Sequence, residues 1–160
     1  MTIKIGERVP AGTFKVMSEK GPTDLSSAEL FGGKRVLLFA VPGAFTPTCD
    51  ARHLPGYIEH FEALRAKGID TVACLSVNDV FVMNAWAKAG NAVGKVVMLA
   101  DGNGEYARAL GLELDARGFG MGQRVQRFAM VVEDGVVKEL NIEPSGQYGV
   151  SSAEAMLERR

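Results

Sequence analysis

KRVLLFAV, residues 34–41, is followed at once by PGAFTPTC, residues 42–49. The first stretch is a near-continuous apolar run stopped by Pro42-Gly43, the mark of a strand buried on both faces. Such a strand needs apolar cover on either side, and the chain supplies it. Residues 46–67 read as helix, with Leu54, Ile58, Phe61 and Leu64 at helical spacing and Gly68 as the stop. Pro55-Gly56 inside that segment predicts a kink or a break there. Residues 69–77 (IDTVACLSV) form a second buried strand. Asn78 or Asp79 can cap a helix that runs to Ala89 and ends at Gly90.

Further along, residues 95–100 are a third strand and residues 101–110 a short helix, followed by a loop with Gly111, Gly118, Gly120 and Gly122. Residues 127–133 and 136–142 are joined by Asp134-Gly135, the two-residue connection of a tight hairpin. Ser26-x-x-Glu29 and Ser151-x-x-Glu154 are capping boxes, the second opening a C-terminal helix. After an extended N-terminal region, alternating strands and helices imply parallel pairing with right-handed crossovers. The expectation is a single α/β domain over residues 1–160: a mixed central sheet with helices on both faces, of which a thioredoxin-like sheet is the simplest topology.

Composition narrows the function classes. The 160 residues carry 18 basic and 19 acidic side chains, which gives no electrostatic reason to propose nucleic acid or an anionic membrane as partner. The longest apolar stretch, from Val36 to Phe45, is too short to span a bilayer. The N-terminus MTIKIGERVP has no secretory pattern, so the chain reads as cytoplasmic. Two cysteines, Cys49 and Cys74, suit reactive or buried thiols in a reducing compartment better than a structural bridge. Cys49, His53 and His60 make no zinc set, because no second cysteine stands at ligand spacing. The glycines at 118, 120 and 122 do not follow a strand as a dinucleotide motif requires, so neither metal nor cofactor is expected.

The chemistry gathers at Cys49, in the first turn of a helix at the carboxyl end of a buried strand. Unpaired N–H groups and the positive dipole end favour thiolate over thiol there. Cysteines so placed can have pKa values of ~3.5–7.5 instead of about 8.5. Thr46-x-x-Cys49 has a hydroxyl where a dithiol motif has its first sulfur, so this turn cannot exchange a disulfide but can orient a bound oxidant. Pro42 and Pro47 stiffen the loop. His53, four residues after Cys49, could pair with it as base to nucleophile or simply pack against the helix, and the second reading is preferred. Arg127 opens an apolar strand, an odd place for a charge without a partner; Arg124 is its rival.

Pro42-x-x-x-Thr46-x-x-Cys49 resembles the active-site signature of peroxiredoxins, and PGAFTPTCDARHLPGY (residues 42–57) resembles the type II, or peroxiredoxin-5, subfamily. CLSVNDVFVMNAW (residues 74–86) and RFAMVVEDGVVKELNIEPSG (residues 127–146) resemble the same subfamily, so the likeness covers nearly the whole chain in order. It implies a thiol peroxidase acting on hydrogen peroxide and organic hydroperoxides through a sulfenic acid, usually a homodimer. Cys49 matches the peroxidatic nucleophile, Thr46 the hydroxyl that bonds thiolate and substrate, Pro42 the shielding proline, and Arg127 the arginine that steadies both. Phe119 resembles an aromatic contact at the subunit interface, and the glycine loop around it is expected to be flexible. Many members carry a resolving cysteine just before the C-terminal helix; Ser151 or a neighbour stands there instead. Resolution is then left to Cys74, to glutathione or a glutaredoxin, or to thioredoxin, and an external thiol is the expectation. On the same fold, a non-enzymatic redox sensor or a structural module with an inert Cys49 are the competing readings.

Overall fold

The computed structural model describes residues 1–158. Its strands and helices follow in the order β1 (Thr13–Ser18), β2 (Gly21–Ser26), α1 (Ser27–Phe31), β3 (Arg35–Ala40), a π-helical turn (Cys49–His53), α2 (Leu54–Glu59), α3 (Phe61–Ala66), β4 (Thr71–Ser76), α4 (Val80–Ala89), β5 (Val96–Ala100), α5 (Glu105–Leu110), β6 (Glu113–Asp115), a 3-10 turn (Arg117–Phe119), β7 (Gln123–Val125), β8 (Phe128–Glu133), β9 (Val136–Ile142) and α6 (Ala153–Glu158). The main sheet has the order β2-β1-β5-β4-β3-β8-β9. Its centre, β5-β4-β3, is parallel, and β8 and β9 continue it antiparallel.

The alternation of β3 explains the layers. Leu37, Phe39 and Val41 pack on one face with Leu54, Tyr57, Leu64, Trp86 and Met156, from α2, α3, α4 and α6. Val36, Leu38 and Ala40 face the other way onto Leu30 and Phe31 of α1 and Tyr106 and Leu110 of α5. Each fully buried leucine or phenylalanine here contributes about 1.5–3 kcal/mol relative to exposure. The central strand therefore has to be apolar at every position, as the run 34–41 is.

The structure corrects four local expectations. The N-terminal region, expected to be merely extended, is the hairpin β1–β2 at the sheet edge. Only Phe14 of its residues is fully buried, so it carries little apolar pattern to read. The first long helix breaks at His60, between α2 and α3, and not at Pro55-Gly56, because Pro55 occupies the first turn of α2, where no N–H is required. Ser152, not Ser151, caps α6, donating its hydroxyl to Gly149 O and accepting from Ala155 N. The segment read as a glycine loop contains a two-stranded ladder, β6 with β7, around the 3-10 turn. The Asp134-Gly135 hairpin forms as expected, with φ of 46° and 81°, and the Ser26–Glu29 capping box is complete.

Candidate active site

The loop from Pro42 to Thr46 leaves β3 and delivers Cys49 into a helix start. Phe45 takes a left-handed φ of 64° to make that turn, a conformation that costs a bulky residue of order 1–3 kcal/mol. The loop is tied down in return: Ala44 N donates to Asn78 Oδ1 at 3.0 Å, and Asn78 Oδ1 also accepts from Ser76 Oγ at 2.6 Å. Asp79 is the cap of α4, accepting from Val82 N at 2.8 Å, which leaves Asn78 free for the loop. Leu54 N donates to Cys49 O across a π-turn. Such single π-turns recur at functional sites. On the opposite side of this turn, Trp86 Nε1 donates to Asp50 Oδ1 at 2.9 Å, pinning the helix start to α4.

Cys49 is fully buried, and Arg127 Nη2 donates to its Sγ at 3.0 Å. Arg127 stands just before β8, the strand that pairs with β3, so the sheet register brings the two side chains together across 78 positions of sequence. The second guanidinium nitrogen, Nη1, lies 2.8 Å from His53 Nδ1. Arg124 goes elsewhere: Nε donates to Met121 O at 2.9 Å, and Nη1 to Val77 O at 3.2 Å and Pro42 O at 3.4 Å. It braces the Pro42 loop from behind.

Thr46 Oγ1 donates to Gly43 O at 2.7 Å. Its single proton is spent within its own turn, and what remains to offer is an acceptor lone pair. The bond to the thiolate that the resemblance implies for Thr46 calls on this same proton, since an anionic sulfur can only accept. His53 is buried, as the preferred packing reading has it, and reaches Arg127 and Ser151, so its link to Cys49 is a contact one residue removed and not a direct pairing of base with nucleophile. Burial first, and the Arg127 charge second, lower the His53 pKa to about 3, which makes it neutral at any ordinary pH.

Cys74 lies on β4, opposite Phe39 of β3 and wholly buried. Burial, and then the neighbouring Cys49, push its thiol pKa well up. A neutral, enclosed thiol is a poor nucleophile. Both cysteines are free.

Beside the Cys49 loop opens a cavity of about 610 Å³, walled by Pro42, Thr46, Pro47, Phe119, Met121, Arg127 and the segment 143–147; Arg127 both lines it and touches the buried Cys49. Phe119, 86% exposed, forms part of its rim. Opposite, Glu143 holds the loop before α6, accepting from Gly149 N at 2.7 Å, Ser151 N at 2.8 Å and Ser151 Oγ at 2.7 Å. Asn78, Glu143 and Ser151 escape a reading of the sequence as site residues, because each acts on a loop distant in the chain. The one visible signal is a carboxylate directly after the apolar strand ending at Ile142. Among the described residues no group of three or more His, Cys, Asp or Glu side chains could hold a metal ion.

Comparison with known proteins agrees with this geometry. Residues 4–157 match the Redoxin family. Peroxiredoxin-2B of Arabidopsis thaliana is 47% identical over 156 residues, covering 97% of this chain and 96% of that protein. The chloroplastic peroxiredoxin-2E-2 of Oryza sativa subsp. japonica is 48% identical over 164 residues, covering 98% of this chain and 72% of its own length. Among solved structures, reduced Prx3 of Vibrio vulnificus in complex with hydrogen peroxide superposes with a TM-score of 0.94 at 49% identity, covering 98% of each chain. The fold, the arginine-bound buried thiol and these relationships together place the chain in the Redoxin family as a peroxiredoxin, a thiol-dependent peroxidase with a thioredoxin-like fold.

Proposed function

We propose that Cys49 is the nucleophile with which this peroxidase reduces hydrogen peroxide and organic hydroperoxides, and that Arg127, Thr46 and Pro42 form its donor, acceptor and shield. The observation that carries the assignment is the 3.0 Å bond to Cys49 Sγ from Nη2 of Arg127, a residue that lines the cavity. The thiolate attacks the protonated peroxide oxygen. An S–O bond forms, the O–O bond breaks, and water or an alcohol leaves after the departing oxygen takes a proton from solvent. Negative charge moves from sulfur to the leaving oxygen, and a guanidinium that is always protonated offers donors to both. The Thr46 oxygen accepts the peroxide O–H and so selects which oxygen faces the sulfur. Pro42 and Pro47 keep bulk water from the sulfur.

The sulfenic acid left on Cys49 condenses with a thiol, releasing water and forming a disulfide. The burial of Cys74 inside the sheet argues for an external thiol, glutathione with a glutaredoxin or thioredoxin, which a second thiol then displaces. Bridging to Cys74 would require its Cα to come within about 7 Å of that of Cys49 with side chains aligned, against the packing of Phe39, Tyr57 and Trp86. A homodimer fits the exposed phenylalanines Phe45, Phe81 and Phe119, and a reducing compartment, the cytoplasm in this proposal, fits two free thiols.

The test is peroxide consumption by wild type, Cys49→Ser and Cys74→Ser with dithiothreitol as reductant. Only Cys49→Ser should be inactive. Wild-type turnover no faster than free thiol would overturn the assignment and favour a redox sensor. Loss in Cys74→Ser as well as in Cys49→Ser, with fold intact, would make Cys74 the resolving residue.

A further inference from the structure

The Arg127 guanidinium has a second engagement that no step of peroxide reduction uses: Nη1 at 2.8 Å from His53 Nδ1. The other ring nitrogen, Nε2, lies 3.0 Å from the Ser151 carbonyl oxygen. A guanidinium only donates and a carbonyl oxygen only accepts. The two contacts therefore permit one protonation state of His53, with the hydrogen on Nε2 and a lone pair on Nδ1. Ser151 is itself fixed. Its carbonyl also accepts from Tyr57 Oη at 2.7 Å, and its N–H and hydroxyl both donate to the buried Glu143 carboxylate. Phe39, Tyr57 and Tyr148 enclose the ring, with centroids 5.0, 5.6 and 5.2 Å away. Arg127 is the charged group in contact with it, and the charges beyond are Glu143 through Ser151 and Arg52 across Tyr148.

We propose that His53 is a positioning residue for the peroxidase reaction: a neutral imidazole, oriented by the Ser151 carbonyl, whose Nδ1 lone pair holds the Arg127 guanidinium at the angle that aims Nη2 at Cys49. This rests on the roles of Cys49 and Arg127 proposed above. An arginine side chain has several rotatable bonds, and a single contact to sulfur leaves its plane free to turn. Two acceptors at fixed positions, Sγ and Nδ1, remove that freedom before peroxide arrives. A charged imidazole would repel the guanidinium, so neutrality is part of the device. The chain Glu143–Ser151–His53–Arg127–Cys49 thus links the loop that walls the cavity to the reacting sulfur.

The first arm of the test is heteronuclear NMR of the ring nitrogens in the reduced wild-type protein at neutral pH. A neutral ring with its hydrogen on Nε2 is expected. An imidazolium, or a hydrogen on Nδ1, overturns the proposal whatever the peroxidase activity. The second arm compares two variants of the full chain. An asparagine side chain keeps an acceptor near the place of Nδ1, whereas a glutamine keeps a donor near that of Nε2 and loses the acceptor. His53→Gln should lower the second-order rate constant with hydrogen peroxide by about 10- to 100-fold, the range for a lost hydrogen bond to a charged group, and His53→Asn should recover most of that loss. Equal rate constants in the two variants, or a wild-type value in His53→Gln, overturn the proposal. Should either variant misfold, the ring-nitrogen measurement decides alone. Failure of the underlying peroxidase assignment looks different: wild type then shows no Cys49-dependent consumption while the His53 tautomer is unaltered.

Discussion

Replacing Arg127 by alanine removes the donor 3.0 Å from Cys49 Sγ. Two unit charges at that separation attract by about 5–6 kcal/mol at an effective dielectric of 20, but this is not the kinetic penalty. The resting thiolate already enjoys most of that attraction, and only what strengthens as charge moves to the leaving oxygen accelerates the reaction. Loss of one preorganised donor to a developing oxyanion sets the scale: about 2–4 kcal/mol of barrier, or roughly 30- to 1,000-fold in rate constant. A second effect follows from the structure. Truncation strands the buried His53 Nδ1 without its donor, which costs about 1–3 kcal/mol of stability. Both are measurable together. Single-turnover stopped flow can follow the fluorescence of Trp86, the sole tryptophan, whose Nε1 bonds Asp50 beside Cys49, while a thermal melt gives the stability. Arg127→Lys should recover little of the rate, because one ammonium cannot span Sγ and Nδ1. An unchanged rate constant in Arg127→Ala with an unchanged melt would refute the reasoning and remove Arg127 from the mechanism.

Two further outcomes are expected. His53 stays neutral in the folded protein down to about pH 3 against an ordinary value of 6.5, while the unfolded chain takes up that proton below about 6.5. Its contribution is therefore complete above pH 6.5 and declines as pH falls towards 3, by at most about 1.4 kcal/mol per pH unit. Glu143 adds to this at lower pH. Burial pushes its carboxyl up, but the bonds from Ser151 Oγ and the backbone N–H groups of Gly149, Ser151 and Val150 outweigh that and hold it below 4.5. Its contribution is present above the unfolded value and lost as pH falls through the lowered folded one. Urea unfolding at stepped pH checks this; stability that stays flat from about pH 6.5 to about 4.5 would contradict a buried neutral imidazole. Separately, Gly43→Ala places a Cβ 2.9 Å from Thr46 Cγ2 and 3.3 Å from both Arg124 Nη1 and Met121 Cε. It should lower peroxide reactivity by disturbing the Thr46 turn and cost about 1–3 kcal/mol, as overpacking does; an unaltered rate and melt would show the turn to be slack.

The sequence by itself determined the framework, because the features concerned are local. The run 34–41 has no polar face, so it had to lie between two apolar layers, and the layers of α2, α3, α4 and α6 against α1 and α5 are its consequence. Asp134-Gly135 carries the turn conformation in its own residues. Pro42, Thr46 and Cys49 stand within one loop and helix start, where spacing alone brings them together. The edge hairpin β1–β2 was not legible, since its alternation is short, Phe14 and Val16 in β1 with Leu25 in β2, and most of its residues are exposed or only half-buried. Only the tertiary structure decided how the site is wired. The choice of Arg127 over Arg124 follows from the pairing of β8 with β3, which sets one arginine against Cys49 and turns the other towards Pro42 and Val77. Thr46 could not be seen to donate to its own turn, nor His53 to face Arg127, across 74 positions, instead of Cys49. Ser151 and Glu143 meet their partners only once α6 and the end of β9 close over the helix that carries Cys49. Contacts of that kind depend on which strands pair and in what register, and those are decided by the packing of the whole sheet.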